Sequence, residues 1–223
     1  WDTFGFNKKN KGLINLRNIP KSEYKWSKTY KPSPSFVSIH LGVEKSLLSE
    51  DFNCHHIIVE NWEELENERG VIFVSIPTLL DSSLAPEGKH IIHAFTPSSI
   101  KEWENLSRKE YLEKKENYFS FLVEKISKII PNLDKNIDHR EIGTPKTHRK
   151  FLGRHEGSYG PIPTKKLLGL LPMPFNTTKV KNLYCVGDSC FPGQGLNAVA
   201  FSGYACAHKI GAKLKINSFY LPD

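Results

Sequence analysis

The sequence predicts an α/β fold in which a mostly antiparallel sheet and a long amphipathic helix precede a strand, a glycine loop and a second helix. Three observations carry that expectation. Apolar residues return near every second position in four runs between 35 and 96, the period of half-buried strands. From Ser107 to Ile129 the apolar period is that of a helix. From Val180 to Lys213 an apolar run ends at Gly187-Asp188, passes through Gly193 and Gly195, and continues as helix-compatible sequence.

In chain order, residues 35–43 (Ser-Phe-Val-Ser-Ile-His-Leu-Gly-Val) give the clearest strand, and 56–60, 71–76 and 90–96 repeat the signal. Residues 77–88 lie between the last two; their prolines and glycine interrupt pairing and supply turn geometry. Ser107 and Glu110 have capping-box spacing, and Tyr111, Tyr118, Leu122, Ile126 and Ile129 form one apolar stripe before Pro131 ends the helix. Residues 153–174 are rich in proline and glycine without periodicity, which predicts an extended, packed connection. The stretch 196–213 is a helix whose Ala198, Ser202, Gly203 and Ala205 permit close packing against a bulky neighbour. There is no internal repeat.

With 39% hydrophobic and 25% charged residues, the 223-residue chain is long enough and apolar enough to fold. Its net charge of +7 attracts anionic surfaces in general. However, lysine greatly outnumbers arginine, and the longest basic cluster, Lys8-Lys9-Asn10-Lys11, has no interleaved aromatics, so no nucleic-acid partner is expected. Cys54, Cys185, Cys190 and Cys206 contain no CxxC pair, which fits a reducing compartment. No apolar run is long enough to span a bilayer, so any membrane contact is expected to be peripheral. The chain begins Trp1-Asp2-Thr3-Phe4, as a processed or incomplete chain would.

The chemistry concentrates in the segment 183–213. A strand, a glycine loop and a helix N-terminus present free N–H groups and a positive dipole end, suited to a pyrophosphate or a flavin ring oxygen. Asp188 can accept hydrogen bonds from a sugar or ribityl hydroxyl. The plain alternative is an ordinary βα turn. The string Leu183-Tyr184-Cys185-Val186-Gly187-Asp188-Ser189-Cys190-Phe191-Pro192-Gly193-Gln194-Gly195, followed by Ala198-Val199-Ala200-Phe201-Ser202-Gly203 and Cys206-Ala207-His208, closely resembles the C-terminal flavin motif of carotenoid isomerases. These are the prolycopene isomerases related to bacterial-type phytoene desaturases. The resemblance extends upstream through Ser33-Pro34-Ser35-Phe36, Cys54-His55-His56, Ser75-Ile76-Pro77-Thr78, Asp81 to Pro86, Gly143-Thr144-Pro145 and Pro172 to Thr178, nearly the whole chain. Leu196-Asn197 looks like a cyanobacterial version of the loop.

The resemblance implies the C-terminal part of a two-domain FAD/NAD(P)-binding, Rossmann-like flavoprotein. Residues 1–15 would end a preceding FAD-domain segment, 16–175 a mixed sheet-and-helix substrate domain, 176–215 a C-terminal FAD segment and 216–223 a tail. The GxGxxG unit that the family uses for the ADP half of FAD is absent, which implies a missing upstream half and weak FAD binding by this piece alone. Gly187, Asp188, Pro192, Gly193, Gln194, Gly195, Leu196 and Asn197 would hold the cofactor; no residue stands out as a catalytic acid or base. The implied reaction is redox-neutral cis-to-trans isomerisation of a poly-cis carotene, prolycopene to all-trans-lycopene, with reduced FAD. The substrate would be an apolar C40 carotenoid, the electron donor is unspecified, and the setting is a cyanobacterial carotenoid-containing membrane or, alternatively, a plastid. A desaturase or retinol-saturase-like oxidoreductase, and a non-catalytic carotenoid- or membrane-binding fragment, remain as alternatives.

Other residues invite rival readings. Cys54-His55-His56 has the donors of a metal site but no further ligand at zinc spacing, and on a strand His55 and His56 face opposite sides. Asp81-Ser82-Ser83 with His148 or His155 lacks a GxSxG elbow. Cys190 is either a redox thiol or a buried structural cysteine, and His208 reads as a surface or packing residue.

Overall fold

A computed structural model describes residues 19–23, 30–49, 51–65, 67–163 and 173–216; the proposed segment 1–15, the Lys8 to Lys11 cluster and nearly all of the 216–223 tail lie outside them. Strands β1 (Tyr30–Pro32), β2 (Ser35–Glu44), β3 (His55–Val59), β4 (Val71–Ser75), β5 (Lys89–Ser98), β6 (Ile137–Gly143) and β7 (Pro161–Pro163) accompany helices α1 (Arg108–Ile126), α2 (Pro145–Leu152) and α3 (Leu196–Leu214). The chain divides into two compact units, Pro34–Ser158 and the flanking Trp1–Ser33 with Tyr159–Asp223.

The first unit is an antiparallel sheet of order β3-β4-β5-β2-β6. Its central pair aligns Val37 with Thr96, Ile39 with Ala94 and Leu41 with Ile92 on one face. That face joins Tyr118, Leu122 and Ile126 of α1 in one buried cluster, each of the three fully enclosed. Burying a side chain such as Leu122 stabilises the fold by about 1.5–3 kcal/mol. Polar atoms in this core are paired: Trp103 Nε1 donates to Ser98 Oγ at 2.9 Å, and Tyr118 Oη lies 3.1 Å from the same oxygen. The α1 capping box is present, with Glu110 N donating to Ser107 Oγ at 3.3 Å and Ser107 N to Glu110 Oε2 at 2.8 Å. The four strands and the helix expected from periodicity are therefore found. The interval between β4 and β5 is an ordered loop of two 3-10 turns.

The other sheet face is aromatic and histidine-rich. Phe95 contacts Phe36 and Phe73 at 5.0 Å each, and His40 stacks on His93 at 4.4 Å. Burial first, then the neighbouring imidazoles of His40 and His148, pushes His93 down to about 4.

Neither β6 nor α2, both in this unit, was foreseen. β6 pairs with β2 despite its polar Asp138-His139-Arg140-Glu141: Ile137 and Ile142 pack against the core, and Arg140 lies over the Phe119 ring at 4.5 Å and bonds Glu116 at 2.9 Å. α2 starts at Thr144 with Pro145 at its first position and ends on left-handed Gly153 (φ +63°).

In the second unit β1 pairs antiparallel with β7, and α3 matches its expected span closely. The strand expected at 180–188 is not formed. Only an isolated bridge joins Thr177 to Tyr184. Thr178 N and Oγ1 both donate to Leu183 O, and Asn182 sits at φ +62°, so the chain makes a tight local turn where the apolar run suggested an extended segment. A strand needs a neighbouring ladder for its backbone groups, and the local turn satisfies part of that demand instead.

Candidate functional site

The loop before α3 is organised by a buried asparagine. Asn176 is 8% exposed; its Nδ2 donates to Cys185 O at 2.9 Å, Ser202 O at 3.2 Å and Ser202 Oγ at 3.1 Å, and its carbonyl accepts from Cys185 N at 2.9 Å. Ser202 Oγ, fully buried on α3, also accepts from Gly187 N at 3.2 Å. Helix and loop are thus joined through two small side chains, and the turn at Gly187 is fixed from behind. Gly187 has φ +105°, a conformation that disfavours any side chain. The turn continues with Cys190 N donating to Gly187 O at 3.1 Å.

A second glycine is required by a close approach. At Gly160, φ +105°, an added Cβ would lie 2.8 Å from Asp188 O and 3.6 Å from Gln194 Cγ. By contrast, a Cβ at Gly187 or Gly195 would meet nothing within 4 Å, and at Gly193 only the Met173 methyl at 3.6 Å. Among the described residues, the backbone of this loop is therefore open on the side where Gly187 and Gly195 point.

Helix α3 begins under the same opening. Its first backbone bond is Val199 N to Gly195 O at 2.9 Å, and the N-cap, Gly195, has no side chain to receive the N–H groups of Leu196, Asn197 and Ala198. These donors add to the positive end of a 19-residue helix dipole. Gln194, Leu196 and Asn197 are exposed, Pro192 and Asp188 are half-buried, and Gly193 is buried. The eight expected cofactor residues thus form one contiguous loop and first helical turn. An open glycine backbone, uncapped N–H groups and a nearby carboxylate fit a ligand with both anionic or carbonyl oxygens and hydroxyl groups, as FAD has. Such an arrangement is suited to binding and orienting a ligand, and among the described residues of this loop there is no acid–base pair.

Cys185 and Cys190 stand in this segment and Cys206 on α3. The neighbouring Cys190 side chain holds Cys185 below the ordinary thiol range, and Cys185, followed by burial, pushes the enclosed Cys190 above it. Burial pushes Cys206 up.

Cys54 Sγ donates to Ile76 O at 3.3 Å, His55 Nδ1 lies 3.0 Å from Ser75 Oγ, and His56 Nε2 lies 2.8 Å from Asn53 O. Asp81 Oδ1 accepts from Ser83 N at 3.0 Å and Ser83 Oγ at 2.6 Å, which caps a 3-10 turn. Burial is the first cause lowering His148. His208 is exposed on α3, its ring 4.2 Å from that of Tyr204. A Cβ at Gly203 would meet nothing within 4 Å, so the close packing expected there is absent among the described residues, whereas Ser202 is enclosed. Sequence reading missed the roles of Asn176 and Gly160. The one available signal was a lone Asn between Phe175 and two threonines.

No protein-family model matches the chain. Among curated proteins it is 54% identical over 218 residues to prolycopene isomerase 1, chloroplastic, of an Oncidium hybrid cultivar, covering 97% of this chain and 36% of that protein. It is 52% identical over 216 residues to the chloroplastic prolycopene isomerase of Arabidopsis thaliana, covering 96% and 35%. A more distant relative is the 4,4'-diapolycopen-4-al dehydrogenase of Metabacillus indicus, 26% identical over 192 residues, covering 81% of this chain and 37% of that one. An oxidoreductase structure from Methanosarcina mazei aligns over 90% of this chain and 38% of its own at 16% identity, with a TM-score of 0.45, too distant to carry an argument. The chain belongs to the carotenoid isomerase family. Within it the match is to the prolycopene isomerases, and the chain spans about a third of the length of these curated relatives.

Proposed function

We propose that the protein carrying this chain isomerises a poly-cis carotene to its all-trans form, prolycopene to all-trans-lycopene, with FAD as cofactor. The observation that supports this most is identity above 50% to prolycopene isomerases over nearly the whole chain. The open loop and uncapped helix start are compatible with it. In this reading residues 176–215 form the C-terminal FAD segment, and the substrate domain lies within 16–175, a span that contains the sheet unit. The N–H groups at Leu196 and Asn197 would face the flavin's oxygens and Asp188 a ribityl or ribose hydroxyl. Bound in reduced form, FAD would supply transient electron density, or a proton–hydride equivalent, that lowers the bond order of a cis double bond. The role of this chain is to orient the cofactor: Asn176 and Ser202 hold the Gly187 turn, and Gly160 sets the position of Asp188.

The relatives named chloroplastic favour a plastid setting over the cyanobacterial one expected from Leu196-Asn197. Among the described residues no helix is long and apolar enough to cross a membrane; peripheral contact with a carotenoid-containing membrane follows from the insolubility of a C40 hydrocarbon.

The test is to supply FAD and prolycopene to the intact protein under reducing conditions and analyse the products by chromatography and mass. All-trans-lycopene of unchanged mass is expected. A product differing by two hydrogens would assign a desaturase or reductase, and absence of both flavin absorbance and turnover would leave a carotenoid- or membrane-binding role.

A further inference from the structure

We propose that Cys54, His55 and Ser75 form a nucleophilic thiol site that takes uncharged, apolar conjugated carbonyl compounds and holds them covalently at the sulfur. One imidazole joins the three: His55 Nε2 lies 3.7 Å from Cys54 Sγ, and its Nδ1 lies 3.0 Å from Ser75 Oγ. The sheet fixes their positions. His55 and Ser75 are cross-strand partners at the end of the β3–β4 ladder, and Cys54 O accepts from Ile76 N at 2.8 Å, which extends that ladder by one residue. Cys54 is half-buried and His55 exposed, so neither the sulfur nor the ring is closed off by the described residues.

A nucleophile, a base in reach of it and a third group that orients the base are the parts of an activated thiol. With Nδ1–H donated to Ser75 Oγ, Nε2 is the ring's acceptor, and it faces the thiol. The thiol hydrogen is shared with Ile76 O at 3.3 Å, and rotation about the Cβ–Sγ bond turns it towards Nε2. The neighbours select the ligand. Ile57, two residues after His55 on the same strand face, is 63% exposed. It is paired with Phe73, whose ring stacks on Phe95 at 5.0 Å. These three positions carry no charge, so an aliphatic chain gains contact there and an anionic reagent gains nothing. In the reaction Nε2 takes the thiol proton and the sulfur adds to the β-carbon of the conjugated carbonyl compound. A C–S bond forms, the electron pair of the C=C double bond passes towards the carbonyl, and the imidazolium returns its proton to the α-carbon. The product is a thioether with its carbonyl intact, and the addition needs no oxidant. Ser75 is a positioning residue. The site is separate from the proposed flavin loop and does not depend on that reading.

The experiment exposes the intact protein at pH 7 to limiting trans-2-nonenal, with acrolein as the short-chain control and N-acetylcysteine as the reference thiol. Adducts are fixed with borohydride and mapped by peptide mass. An ordinary thiol with a pKa of about 8.5 is only about 3% ionised at pH 7, so a base in place can raise its rate by roughly tenfold. Cys54 is expected to react first among the four cysteines, roughly tenfold faster than N-acetylcysteine, with a larger advantage for nonenal than for acrolein. His55→Gln should remove the advantage; Ser75→Ala should lose part of it and Ser75→Thr restore it. A Cys54 rate no greater than that of N-acetylcysteine overturns the proposal, as does an unchanged rate in His55→Gln. An equal advantage for both aldehydes overturns the apolar ligand class. None of these readings uses flavin or carotene, so they stand or fall apart from the isomerase assay.

Discussion

Replacing Ser202 with alanine tests whether the buried Asn176–Ser202 pair sets the geometry of the loop. The hydroxyl accepts two hydrogen bonds, from Asn176 Nδ2 at 3.1 Å and Gly187 N at 3.2 Å, in a position with no solvent exposure. Asn176 keeps Cys185 O and Ser202 O as acceptors, so its loss is small. Gly187 N loses its acceptor, and an unsatisfied buried donor costs about 1–3 kcal/mol. Since Gly187 itself is only half-buried, the lower part of that range applies, and the two effects together come to about 2 kcal/mol. That corresponds to a roughly 30-fold change in the local opening equilibrium. Native-state amide exchange on the intact protein should show it: the Gly187 amide exchanges roughly 30-fold faster in Ser202→Ala, while core strand β2 is unaffected. Ala207→Ser, at an exposed position of the same helix, should change neither. Unchanged exchange at Gly187, or acceleration spread evenly through both units, would refute the claim that this hydroxyl holds the turn.

Other outcomes are expected from the same geometry. Gly160→Ala should destabilise the cofactor-free protein more than Gly195→Ala: both have φ near +100°, worth about 1–3 kcal/mol of strain, but only Gly160 adds a clash with Asp188 O; thermal unfolding compares them. His93, lowered to about 4 by burial and then by His40 and His148, binds a proton more readily unfolded than folded between its folded value and the ordinary 6.5. Its contribution to stability is therefore full above about 6.5 and lost as pH falls towards about 4, and urea titrations against pH should show a shallower acid-side slope in His93→Phe. Some slope remains, because His90 and His148 are lowered in the same direction, each chiefly by burial. Ser107→Ala removes one half of the α1 capping box and should cost about 1 kcal/mol, read as a shift in urea midpoint at unchanged slope.

The sheet was legible where a strand buries one face, because alternation then records burial directly: Val37, Ile39, Leu41 and Val43 are all enclosed. β6 gave no such record, since this edge strand meets the core only through Ile137 and Ile142 near its ends, with exposed polar residues between them. α2 is short and basic, and its signals, Pro145 at the start and Gly153 past the end, were there without an apolar stripe to join them. The glycine loop was visible because positive φ restricts residue choice. Asn176 was not, because its partners lie 9 and 26 positions away and only folding brings them together.

The short pairing of β1 with β7 bears on how the chain is made. Tyr30 aligns with Pro163, and the whole sheet unit lies between them in sequence. During synthesis all five strands of that unit emerge, and their antiparallel ladders can close, before β7 exists. The flanking unit must hold β1 unpaired until the inserted unit has been made, so the loop around Asn176 and α3 can assemble only after the strands of the sheet unit have emerged.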